Sequence, residues 1–238
     1  MRSSTQAIVA TSLAALVSPV NGMFVRILPE NVDSAAIVFA SFVLFVVPAV
    51  LSIGTGSTWA AKGSARLILV RGIGCLLSII VTVVALRRID FATIYFLNMS
   101  GPLVASLGAV GLLHEPIRKA HFVGALLTLL GASLALSPQL LGSAEDLLIS
   151  VAVVGSSTLL SLTARTVGKS LNPINFTVIS MGFAAILSAP FAAQSLKFEE
   201  PTTYALLLGI SLSNFAAIML SSFAYHRATF RPMRLLNC

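Results

Sequence analysis

Charge is scarce in this chain. Only 10% of its 238 residues are Asp, Glu, Lys or Arg, against about 25% in an ordinary soluble domain, which leaves too little polar surface for a water-exposed fold of this size. Acids are scarcer still: the 8 of them, Glu30, Asp33, Asp90, Glu115, Glu145, Asp146, Glu199 and Glu200, all sit in short polar joints. Membrane-embedded catalysis needs convergent acids, nucleophiles or metal ligands, so an integral membrane enzyme is the weaker reading. There are 2 cysteines, Cys75 inside an apolar run and Cys238 at the last position, which gives neither a disulfide framework nor a metal site. The 3 histidines, His114, His121 and His226, stand near the edges of apolar runs. No metal and no cofactor is expected. The net charge of +7 is spread in small basic groups rather than gathered on one patch, which excludes nucleic acid as a partner.

What is present is apolar length. Hydrophobic residues make up 57% of the chain, and they fall in eight runs: 3–25, 34–61, 67–86 (interrupted by Arg71), 91–113, 122–144, 147–164, 170–196 and 201–225. A helix of about 20 apolar residues crosses roughly 30 Å of hydrocarbon, and lipid tolerates only structures that satisfy their own backbone. The expected fold class is therefore an all-α polytopic membrane protein with short connections and antiparallel neighbours. The apolar run after Arg2 reads as a retained first helix rather than a signal peptide, because seven more runs follow.

Basic residues set the orientation. With the amino terminus in the cytoplasm, that side receives Arg2, Lys62, Arg66, Arg71, Arg118, Lys119, Arg165, Lys169, Arg227, Arg231 and Arg234; the other receives Arg26, Arg87, Arg88 and Lys197. The imbalance favours a cytoplasmic amino terminus, in a bacterial inner membrane.

Sliding the chain along itself by 139 residues places Arg26 on Arg165, and Ala85, Arg88 and Phe91 on Ala224, Arg227 and Phe230. Runs one to three land on runs six to eight. Five spans separate equivalent points, an odd number, so the second part enters the membrane upside down, as in inverted-repeat transporters. The same offset calls for two further spans beyond Phe230, so the chain is expected to be a fragment or a truncated product.

Several residues are candidates for lining a polar route. Pro102 should bend run four near Asn98, turning the Asn98 carbonyl and the Ser100 hydroxyl toward a cavity; a kink used for packing is the alternative. Asn21, in the Ser18-Pro19-Val20-Asn21-Gly22 stretch, and Asn214 must each find a neighbouring helix or a wet cavity. Tyr95 lines the route or anchors at the interface. Arg71 lies about one turn past a basic edge, where its side chain can snorkel to headgroups or meet an anionic or zwitterionic substrate. Glu115 opposes the helix dipole and is compensated by Arg118 and Lys119, as a structural clamp or a gate. Gly101, Gly108, Gly111, Gly124 and Gly131 are expected to let helices approach closely.

Arg71-Gly-Ile-Gly, the Ala85-Leu-Arg-Arg ending, Gly101-Pro102-Leu103, Leu112-Leu-His-Glu115-Pro and the Gly124 to Gly131-Ala stretch together resemble the EamA domain of the drug/metabolite transporter superfamily. The resemblance covers 7–137 as one five-helix repeat and 146–238 as a partial second. It implies ten helices in two inverted halves, a central cavity and transport of small metabolites; Pro102 and Glu115 match the family's helix-four proline and closing acid. The Arg-Gly opening of the third run is more loosely similar to S-adenosylmethionine uptake carriers. The function so expected is a secondary transporter of a small polar metabolite, amino acid-like, nucleoside-like or sulfonium, with a non-transporting scaffold or inactive truncated transporter as the alternative. Expected partners are the substrate, the lipid bilayer and a second copy of the chain as a homodimer.

Overall fold

The computed structural model describes residues 3–54, 64–98, 100–101, 104, 123, 130, 143–167, 172–196 and 200–229. Regular structure among these residues is helical: α1 (Ser3–Ile27), α2 (Ser34–Val43), α3 (Val46–Gly54), α4 (Ser64–Arg88), α5 (Ala144–Val167), α6 (Pro173–Ala192) and α7 (Pro201–Thr229), with a further helical segment at 91–98. Among the described residues five helices are long and apolar enough to cross a bilayer, and α2 with α3 makes a sixth, bent span. The protein is thus an all-α polytopic membrane protein. Runs 91–113 and 122–144 fall largely outside the described residues.

The helix starts follow from the joints. Asp33 caps α2 by accepting from the Ala35 N–H at 3.0 Å, and Asn172 caps α6 by accepting from Ile174 N–H at 3.0 Å. Pro173, at the first position of α6, has no N–H to orphan. Ser143 and Asp146 cap α5 reciprocally, each side chain accepting from the other's backbone N–H, at 3.1 and 3.3 Å. Asp90 opens the segment at 91 by accepting from Ala92 N–H at 3.0 Å. Each cap satisfies a donor that would otherwise be orphaned at the membrane edge.

Run two departs from expectation. The sequence reads as one span over 34–61, whereas α2 and α3 meet at a 43° bend. Pro48 is the cause: it has no N–H to give the Leu44 carbonyl four residues back, and its ring crowds that oxygen. Phe45 N–H turns instead to Phe42 at 2.9 Å, and the helix resumes with Ala49 N–H on Phe45 at 2.9 Å.

Four buried serines are satisfied within their own helices. Ser41, Ser180, Ser188 and Ser213 each return their hydroxyl proton to a carbonyl four residues back in their own helix, which removes the cost of an unmet hydroxyl in an apolar interior.

Helix bounds recur at the 139-residue offset. Residues 3–27 shift to 142–166 against α5 at Ala144–Val167; 34–54 shift to 173–193 against α6 at Pro173–Ala192; 64–88 shift to 203–227 against α7 at Pro201–Thr229. The caps Asp33 and Asn172 are counterparts. Packing follows the same exchange: α1 runs along α7 and α5 along α4, α2 touches α7 and α6 touches α4, while α2 and α3 lie across their own counterpart, α6. At that crossing Gly182 of α6 meets Ala49 of α3 and the carbonyl of Phe45, just before α3, so closely that an added Cβ would overlap the Ala49 Cβ. Without a hydrophobic drive between helices in lipid, such close approach is what dispersion contacts require.

The joints at one end of the bundle are tied together. Arg88 pairs with Glu145 at 2.7 Å, Arg26 approaches Asp90 at 4.0 Å, Arg87 donates to the Val32 carbonyl, and Ser195 donates to Asp33 at 2.6 Å. The Ser195 hydroxyl, then the Ala35 N–H, holds the Asp33 carboxyl below its ordinary pKa. The exposed ion pairs contribute little stability, about 0–1 kcal/mol each, but they place the joints after α1, α4 and α6 at one end.

Candidate functional site

The polar side chains singled out from the sequence gather at two helix crossings. The first is built on α1, where Pro19 has no N–H for the Ala15 carbonyl. Tyr95, from the segment at 91–98, lays its hydroxyl against the next turn: it accepts from Gly22 N–H at 3.3 Å and donates to the Ser18 carbonyl. Those two backbone groups, four residues apart, are ordinarily each other's partners. Gly22 is required there, because a Cβ would stand 2.8 Å from the Tyr95 oxygen and 2.9 Å from the Phe91 ring. The Phe91 and Tyr95 rings pack with centroids 4.6 Å apart.

Asn21 turns to the other side of α1. Its amide donates to the Ile210 carbonyl of α7 at 3.3 Å. From α7 the network continues into α2: Ser211 donates to the Ala40 carbonyl at 2.5 Å, and Asn214, buried, donates to the Ser41 carbonyl at 2.6 Å. Both asparagines therefore use neighbouring helices, and Tyr95 is a bridge between helices rather than a headgroup anchor.

The second crossing joins α4, α5 and the segment around 98–101. Arg71 turns into the helix packing. It is only 9% exposed, donates to the Leu160 carbonyl of α5 at 3.3 Å, and holds its guanidinium carbon 5.3 Å from the centroid of the Phe176 ring of α6, within cation–π range. α5 and α6 thus bring a carbonyl and an aromatic face to the arginine. Beside it, Ser157 lies 3.3 Å from Asn98 Oδ1 and 2.5 Å from its own Val153 carbonyl, and Thr158 donates to the Gly101 carbonyl at 3.2 Å. Gly101 permits this approach, since a Cβ there would overlap the Ser157 Cβ. Ser100 returns its hydroxyl to Leu97 at 2.7 Å. Pro102, Glu115 and Arg118 lie outside the described residues.

The two crossings correspond at the 139-residue offset. Asn21 is the counterpart of Leu160, and Ile210 is the counterpart of Arg71. The side chain of α1 donates to the carbonyl of α7 in one case, and the side chain of α4 donates to the carbonyl of α5 in the other. Asn21 stands about 9 Å from the end of α1 and Arg71 about 10 Å from the start of α4, at the helical rise of 1.5 Å per residue, so the crossings lie toward opposite ends of the bundle.

Sequence reasoning missed Ser157, Thr158 and Ser211. The run Gly155-Ser156-Ser157-Thr158 inside an apolar helix was the available signal. Chemically the set offers amides, hydroxyls and one guanidinium, groups that bind and orient a polar molecule. Among the described residues no cluster of His, Cys, Asp or Glu could hold a metal ion.

A model of the EamA-like transporter family matches residues 5–137, more than half of the chain. No curated protein matches it. The matched span takes in nearly all of α1, α2 to α4 and the segment carrying Tyr95 and Asn98, and members of the family are membrane transporters; the chain belongs to the EamA-like transporter family.

Proposed function

We propose that the protein is a secondary carrier that moves a small polar metabolite by alternating access, with residues 7–137 as one five-helix unit and 146–238 as part of a second unit of opposite orientation. The observation that carries the reading is the exchange relation: α1 packs on α7 as α5 packs on α4, with the Asn21 and Arg71 contacts at corresponding places. A bundle whose halves are related in this way can open to either face by trading conformations between them. Neutral amides and hydroxyls around Asn98, Ser157 and Tyr95 suit an uncharged or zwitterionic polar solute, amino acid-like or nucleoside-like, and Arg71 suits one bearing an anionic group. The basic residues favour a cytoplasmic amino terminus, and the membrane proposed is a bacterial inner membrane.

The test is reconstitution of the purified chain in liposomes, with uptake and exchange followed for radiolabelled amino acids, nucleosides and sulfonium compounds. Saturable movement of one class, abolished by Asn98→Ala in folded protein, is expected. Absence of movement of every class by monodisperse protein would leave a membrane scaffold as the better account.

A further inference from the structure

We infer that the Asn21–Ile210 and Arg71–Leu160 crossings are the two gates of the carrier, Asn21 closing the face at which α1 ends and Arg71 closing the face at which α4 begins. The inference rests on the carrier reading above and adds which contacts break. If opening is an exchange of conformation between inverted halves, a contact between the halves and its counterpart open in turn, and both are closed in this structure. These two contacts are such a pair: residues 21 and 71 at the offset are 160 and 210, and each contact joins an N–H donor side chain of a first-half helix to a backbone carbonyl of a second-half helix.

Each is also built to separate. The accepting carbonyl lies inside a helix and has a second lone pair for its own ladder bond, so release does not orphan it. The donor, about 10 Å or less from a helix end, meets water as that face opens.

The gates are unequal. Asn21 offers a neutral amide, whereas Arg71 offers a charge-assisted bond and stacks over Phe176, interactions roughly twice as strong as a neutral hydrogen bond. At rest the Arg71 face should therefore stay shut more of the time than the Asn21 face.

The buried counterparts Ala14 and Val153 each lie seven residues beyond a gate, which makes them matched probes. In a background carrying Cys75→Ala and Cys238→Ser, single Ala14→Cys and Val153→Cys proteins are treated from each face of oriented membranes with a charged, impermeant methanethiosulfonate. The expected result is reaction at position 14 from the face where α1 ends, faster than reaction at position 153 from the other. Asn21→Leu should raise the first rate about threefold, the equivalent of about 0.6 kcal/mol for an average interhelical hydrogen bond in lipid, and lower the second. Arg71→Met should do the reverse, and Arg71→Lys, which keeps a donor, should leave both rates near their starting values. If both rates rise together, or only the probe beside the substitution responds, or neither changes, the crossings are packing contacts and the gate assignment is overturned while the carrier reading stands. If neither position reacts from either face in protein with both gates intact, the carrier reading falls and the gates with it. Should Arg71→Met fail to give a single chromatographic peak, the paired rates of Asn21→Leu decide the matter.

Discussion

Gly182 is, with Gly101, among the most closely packed glycines described, and Gly182→Ala tests its packing directly. The residue lies where α6, which packs on its own counterpart α2 and α3, crosses α3. An added methyl would overlap the Ala49 Cβ and stand 3.2 Å from the Phe45 carbonyl oxygen. Neither obstacle can swing aside, because one is a side-chain stub fixed to the backbone and the other is the backbone itself, so the helices must part. Overpacking of this kind costs about 1–3 kcal/mol, against a gain of up to about 1 kcal/mol from replacing glycine inside a helix. The net expectation is a loss of about 1–2 kcal/mol, read by SDS titration of detergent-solubilised protein. Ala49→Gly removes the nearer obstacle and leaves the 3.2 Å contact. Combined with Gly182→Ala it should recover about 1 kcal/mol relative to the sum of the single changes. If Gly182→Ala is as stable as the parent, or if the two changes add to within about 0.5 kcal/mol, the α3–α6 crossing is not as close as described.

Three further outcomes are expected. Tyr95→Phe deletes the hydroxyl shared by Gly22 N–H and the Ser18 carbonyl and should lower stability by about 0.5–1.5 kcal/mol; an unchanged SDS midpoint would show that α1 closes its own ladder there. Asn214→Leu removes the bond to the Ser41 carbonyl and should cost about 0.6 kcal/mol and no more than about 1.7, measured the same way. Asp33→Ala removes the α2 cap and should cost about 1 kcal/mol at neutral pH. The Asp33 carboxyl is held below the ordinary value of 3.8 in the folded protein, so its contribution is fully present above that value and fades as pH falls through the lowered one. The difference in melting temperature between parent and Asp33→Ala should therefore shrink only in strong acid; shrinkage already at pH 5–6 would contradict the cap.

The spans were legible because charge is excluded from hydrocarbon and collects in joints, so the joints holding Asp33 and Asp90 bound runs in the sequence as they bound helices in the structure, whereas the Asn172 cap lay inside the run read as 170–196. The offset of 139 was legible for the same reason, through hinge positions rather than identities. The bend at Leu44 and Phe45 was readable from Pro48, yet an uninterrupted apolar run drew attention to length instead of to the missing N–H. The side-chain partners were not legible. Whether Arg71 snorkels or turns inward depends on Leu160 and Phe176, 89 and 105 positions further along the chain, and no local pattern encodes that they arrive together. Asn21 and Asn214 were recognised as needing a partner, but the choice between a helix and a cavity is decided by which carbonyl α7 or α2 presents.

The central claim is that the part beginning at α5 crosses the membrane in the opposite sense to the part beginning at α1. Single cysteines at 66 and 165, near the start of α4 and the end of α5, and at 90 and 145, in the joints tied by Arg26 and Arg88, test it by impermeant thiol labelling of intact cells and of inverted vesicles. The account requires 66 and 165 to react together in inverted vesicles and 90 and 145 to react together in intact cells; labelling of 66 and 165 from opposite faces would contradict it.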